Sequence, residues 1–172
     1  MGYDLAIGEA MFTGCVEDAY MRVWAKPEQH EAAPTFDNDP LTGNSNMRSP
    51  GYSVWADFCR DTGLYGMFLG IDGRRDPYMQ EDPNCHREVP ILAEHPGFAV
   101  INAADVEAVK RALDEHIAKH GDLTPGFRDW HEAEEDTPAN ANDCATRARL
   151  MWLHYWCDWA VKNCELPIIA NR

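Results

Sequence analysis

The sequence predicts one acidic α+β domain over residues 1–172, a small, mainly antiparallel sheet packed by three main helices with long ordered loops. Three observations predict it. Two runs near the start alternate apolar and polar residues, the run FAVI leads directly into a segment of helical period, and residues 143–165 keep apolar side chains along one broad helical side. A chain of 172 residues is about one domain's worth and buries roughly two-thirds of the surface its unfolded form exposes.

Taken in order, residues 3–8 and 18–26 (with AYMRVWAK at 19–26) read as two half-buried antiparallel strands, connected around Gly14. Residues 27–50 are polar and irregular, which predicts an ordered surface loop. Ser49 and Pro50 form an N-cap and first-turn pair and Gly63 stands where a left-handed C-cap belongs, so residues 50–62 predict a helix. Its inner face is Tyr52, Trp55, Phe58 and Cys59, with Leu64 and Tyr65 folding back over it. GMFLGI then passes through the core, and the prolines spread over residues 72–97 predict a long structured loop. Residues 98–101 are a third strand. Asn102 or Asp105 caps a helix over 103–120, with Val106, Val109, Leu113 and Ile117 at helical spacing and Gly121 at its end. Residues 125–136 predict a short acidic helix. The last helix, 143–165, is apolar almost all round except for a stripe at His154, Asp158 and Lys162, which puts Trp156 and Cys157 deepest. Pro167 stops it, and Ile168 and Ile169 pack back onto the domain.

Composition narrows the function classes. Apolar residues are 45% and charged residues 26% of the chain, which excludes disordered, collagenous and low-complexity classes. Twenty-nine acids against fifteen bases give a net charge of −14. Such a charge repels nucleic acid and anionic lipid and favours a basic partner. The start, MGYDLAIGEA, carries neither a basic n-region nor a long apolar core, so no signal peptide and a cytoplasmic location are expected. The six cysteines are then expected as free, mostly buried thiols.

Sites of chemistry are sparse. His116 and His120 stand at i, i+4 on a helix but lack the metalloprotease glutamate, and the ordinary role of such a pair is a half-exposed helix end. Cys85, His86 and His95 make a weaker ligand set in the proline-rich loop, so neither a resident metal nor another cofactor is expected. No nucleophile–base arrangement and no GxSxG is present, and Glu134, Glu135 and Asp136 read as a solvated face rather than a glycosidase pair. The expectation is a protein without an enzyme's machinery. Residues 41–80 hold four acids (Asp57, Asp61, Asp72, Asp76) and four bases (Arg48, Arg60, Arg74, Arg75) in an otherwise acidic chain. Arg48 and Ser49 at a helix start, with Arg74 and Arg75, would suit a nucleotide or other phosphate ligand. Finally, Trp152, Tyr155, Trp156 and Trp159 put more rings on one helix than a single buried face absorbs, so part of the cluster is available to a partner.

The words MGYD, GNSNMRSPGYSVWADFCRDTGLY and RLMWLHYWCDWAVKNCELPIIAN resemble small uncharacterised accessory proteins of bacteriophages and prophages across most of the chain. The resemblance implies a context: the cytoplasm of an infected or lysogenic bacterium, and binding of a host defence component, as anti-CRISPR and other anti-defence inhibitors do. The leading expectation is therefore an inhibitor that docks a basic surface of a nucleic-acid-binding host protein, with nucleic-acid mimicry as one form of it. Its contact residues would be Asp129, Trp130, Glu132, Glu134, Glu135, Asp136, Trp152 and Trp159. The alternatives are a phosphate-ligand sponge at Arg48, Ser49, Arg74 and Arg75, and a metal-dependent enzyme.

Overall fold

The computed structural model describes residues 4–12, 23–36, 44–72, 88–92, 97–121, 123–126 and 143–171. In chain order these form β1 (Leu5–Phe12), β2 (Val23–Ala25), β3 (Met47–Arg48), α1 (Tyr52–Asp61), β4 (Leu69–Asp72), β5 (Glu88–Pro90), β6 (Gly97–Val100), α2 (Ala103–His120), β7 (Thr124–Pro125), β8 (Asp143–Cys144), α3 (Ala145–Asn163) and β9 (Pro167–Asn171). Seven strands join in one antiparallel sheet of order β2-β1-β9-β6-β4-β5, with β3 also on β1; β7 and β8 make a separate parallel pair. The predicted α+β class with three helices stands.

The centre of the sheet is its largest departure from expectation. Residues 167–171 form a full strand between β1 and β6, with Ile169 opposite both Ile7 and Ala99. Pro167 ends helical structure, and the β-branched pair that follows occupies the two faces of an extended segment in turn. Glu9 fixes the approach: its carboxylate accepts from the backbone N–H of Glu165 at 2.6 Å and of Leu166 at 3.0 Å.

The register sorts side chains onto two faces. The front face carries Leu5, Ile7, Ala99 and Ile169, which join Trp55, Phe58, Cys59, Val106, Val109, Leu150, Trp152, Leu153, Trp156 and Cys157 in the main core under the three helices. The predicted inner residues Trp55, Phe58 and Cys59 are buried, as are Trp156 and Cys157 at 0% exposure, and Val54 is buried beside them. The Tyr52 side chain lies outside the described set. On α3 the polar stripe is also as expected, with Lys162 donating to Asp158 at 2.6 Å. Leu113 and Ile117 of α2 are half-buried, and Ala112 is the buried residue at that end.

Caps were partly legible. Asn102 and Asp105 form a reciprocal capping box on α2, and Gly63 and Gly121 take φ of 72° and 77° at the ends of α1 and α2. At the start of α1 the expectation is corrected: Gly51 is the N-cap and no side chain caps the helix, because the Ser49 hydroxyl donates to Asp4 Oδ1 at 2.6 Å.

Two predicted loops contribute to the interior. In the segment expected to be a surface loop, Asn46 is fully buried and joins the neighbouring edges of β1. Its Nδ2 donates to the carbonyls of Ile7 at 2.8 Å and Lys26 at 2.7 Å, and its Oδ1 accepts from Glu28 N at 2.9 Å. Its backbone also pairs with Ile7 N and Glu28 O. In the proline-rich segment, β5 pairs with β4 and leads to the buried Ile91 and Leu92. Ile91 occupies the space beside Gly70 and Gly97; a Cβ at Gly70 would run into the Phe98 carbonyl, so glycine lets β4 approach β6. The predicted turn around Gly14, most of the 18–26 strand and nearly all of the acidic helix at 125–136 lie outside the described residues. Among the described residues no helix is long and apolar enough to cross a membrane.

Candidate functional site

The back face of the sheet differs in how it is covered. Strand β2 pairs with the far half of β1 and also packs across β9 and β6. Under it lies a second apolar cluster of Ala6, Val23, Trp24, Ala25, Ile168 and Ala170. Beyond its reach Val100 is 53%, Leu69 51% and Ile71 38% exposed. Leu166 is 37% exposed before β9, and Phe12, opposite Val23 of β2, is 76% exposed at the end of β1.

These five are the exposed large apolar side chains among the described residues. Strand alternation and register put four of them, Phe12, Leu69, Ile71 and Val100, on the back face, and Leu166 lies just before β9. Ile71 is flanked on the same face by Phe98 on one side and by the exposed carboxylate of Glu88 on the other. The sequence carries a signal for this face that the reading above missed: in LGID and GFAV the positions facing away from the helices, Leu69, Ile71, Phe98 and Val100, are all large and apolar. A sheet with one wet face alternates apolar and polar residues, so two apolar faces call for a second cover.

The predicted contact residues are placed differently. Trp152 is corrected from partner anchor to core: it is fully buried and its Nε1 donates to the Ser45 carbonyl at 3.0 Å, tying α3 to the loop before β3. Helical spacing sets Trp152 beside the stripe of His154, Asp158 and Lys162, but that side of α3 is covered by the 44–46 segment. Trp159 is half-buried and packs edge-on to His30 at 4.7 Å. Asp129, Trp130, Glu132, Glu134, Glu135 and Asp136 lie outside the described residues.

The phosphate reading loses its helix-start pair. Arg48 is 4% exposed, its guanidinium taken up within the fold. Ser49 faces the Asp4 carboxylate, the wrong charge for an anion cradle. Arg74 and Arg75 lie outside the described residues.

The place of His30 among the rings of α3 escaped the sequence reading. His30 lies tilted on Trp156 at 4.6 Å, and its Nδ1 is 3.3 Å from the Tyr155 hydroxyl. Its Nε2 is 4.0 Å from Glu28. His30 thereby pins the 23–36 segment to α3, in a stretch whose local polarity gave no hint of burial.

Cys85, His86 and His95 lie outside the described residues. Among the described residues no three His, Cys, Asp or Glu side chains are grouped to hold a metal. His116 and His120 do come together on the last turns of α2, with ring centroids 4.6 Å apart and planes at 34°. Burial holds His116 below the ordinary histidine range, helped by the positive surroundings of His120, Arg147 and Lys119. Cys59, Cys157 and Cys164 are free thiols. Burial pushes the Cys59 thiol up to about 12 and Cys157 up as well, the opposite of an activated nucleophile. Comparison with protein-family models, curated proteins and solved structures gives no match to this chain.

Proposed function

We propose that this chain is a binding protein of the phage accessory type, an anti-defence inhibitor that docks a basic surface of a host protein through the open part of its sheet. One observation carries the reading: Leu69, Ile71 and Val100, exposed large apolar side chains of the neighbouring strands β4 and β6, share a single sheet face. Scattered apolar residues are normal on a protein surface, whereas several collected on one face mark a contact site.

The charge argues for the kind of partner. The patch belongs to a chain of net charge −14, with exposed carboxylates of Glu88 beside Ile71 and Glu165 beside Leu166. Apolar anchors inside an acidic rim complement an apolar spot on a basic surface, and the long-range field speeds encounter with it. A nucleic-acid-binding component of host defence has such a surface, and occupying it would block the nucleic acid.

The test is capture from a bacterial lysate with the full chain, followed by affinity measurement on the purified partner. Affinity should fall as salt rises, and Val100→Lys should weaken it at least about tenfold at unchanged melting temperature. No partner retained at low salt, or an affinity indifferent to both salt and Val100→Lys, overturns the reading.

A further inference from the structure

We infer that His116 and His120 form a two-ligand chelate for a borderline divalent transition metal, in the class of Cu²⁺, Ni²⁺ or Zn²⁺. The inference is independent of the docking surface. Residues four apart on a helix lie on one face, and here the spacing is realised as two rings with centroids 4.6 Å apart and planes at 34°. A metal about 2.1 Å from one nitrogen of each ring requires the two neighbouring imidazoles to turn edge-on, with His116 exchanging its present contacts for the metal. His120 is exposed and His116 half-buried, so the pair is reached from solvent while one ring is held by its surroundings.

The surroundings set the strength and kind of binding. The carbonyl end of α2 and the net charge of −14 favour a cation there. Arg147 and Lys119, which also face His116, oppose it. Two imidazoles without a carboxylate select nitrogen-loving metals over Mg²⁺ and Ca²⁺, with Cu²⁺ and Ni²⁺ favoured by the usual order of affinities. No third histidine, cysteine or carboxylate joins them among the described residues, so water or a partner's side chain completes the coordination. The site is therefore open.

Titration of the full chain with Ni²⁺, read by calorimetry and melting temperature, tests this. One saturable equivalent should raise the melting temperature, because the chelate ties the last turn of α2 together. Mg²⁺ should leave it unmoved. His120→Gln, at an exposed position, should weaken that equivalent at least about tenfold, and Lys119→Ala should tighten it. The inference is overturned if no saturable equivalent appears, or if His120→Gln leaves it unchanged; in the second case other histidines hold the metal.

Discussion

The two faces of the sheet are made of the same kinds of residue and end in opposite states. On the front, Ile169 lies between Ile7 and Ala99 under three helices, and every large side chain of that row is sealed. On the back, Ile168 occupies the neighbouring position of the same strand and is equally buried, but by β2. Val100, opposite Ile168, is half exposed. Apolar sequence thus fixes which residues seek burial, and the reach of the covering element decides which obtain it within one chain. The front face is about stability, and the back face beyond β2 is the contact surface proposed above.

The sharpest way to break that division is Trp156→Ala. Trp156 is fully buried, and its indole N–H has no hydrogen-bond partner among the described residues, so its contribution is mainly packing. The expected loss is about 3–5 kcal/mol, a large part of an ordinary domain's stability. Trp156→Phe, which keeps an aromatic ring and sacrifices no hydrogen bond, should cost clearly less. Chemical denaturation of both variants checks this, and equal losses would show that more than ring volume is at work.

Next comes Asn46→Leu, at the join of the short strands β2 and β3 along β1. The substitution keeps the size of the side chain and removes three hydrogen bonds, leaving the Ile7 and Lys26 carbonyls and the Glu28 N–H without their side-chain partner. At about 1 kcal/mol or more for each buried group left unsatisfied, a loss of about 2–4 kcal/mol is expected in a denaturant titration. Asn46→Asp, which keeps the acceptor but cannot donate to two carbonyls, should be no better.

That pair shows what the sequence could and could not tell. Trp156 and Cys157 were placed in the core by helical period alone, because nineteen residues of α3 repeat the signal several times. The α2 cap was legible for a related reason: its donors and acceptors lie within three residues of each other. Asn46 was not legible, since its partners come from residues 7, 26 and 28, and polarity in a loop normally means solvent. Strand β9 was hidden likewise: five residues carry little periodicity, and their place in the middle of the sheet depends on partners far off in sequence, at residues 5–9 and 97–100. The apolar back face was readable in principle, from strands apolar on both sides, but was absorbed into a generic passage through the core. Trp152 shows the converse, a helical wheel that sees the helix but not the loop packed on it.

A smaller effect, confined to the front, is alkaline. Cys59 and Cys157 are buried neutral thiols whose ionisation burial opposes; Cys59 rises from 9.0 to about 12. Above pH 9 the unfolded chain loses these protons while the folded chain keeps them. Stability is therefore whole below about pH 9 and falls above it, by up to about 1.4 kcal/mol per pH unit for each thiol. The double variant Cys59→Ala and Cys157→Ala should lose less stability than the parent between about pH 8 and pH 10, whatever its stability at neutral pH. Parallel profiles for the two proteins would remove the thiols from the account.

The smallest expected effect on stability is the one that separates the faces. Val100 and Ile169 belong to adjacent strands, yet Val100 is 53% exposed and Ile169 fully buried. A charge at Ile169 would have to be desolvated beneath the helices, and Ile169→Lys should unfold the chain or come close to it. At Val100 the ammonium reaches water while the side-chain stem still covers Phe98 and Ile168, so Val100→Lys should stay within about 0.5 kcal/mol of the parent. If the exposed face also attracts other copies of the chain, the same substitution raises solubility, since it breaks the apolar patch. Melting temperatures of the two variants, measured side by side, decide the matter. A large loss from Val100→Lys would mean that the back face is closed over Val100 in solution, and that the patch belongs to the fold instead of to a partner.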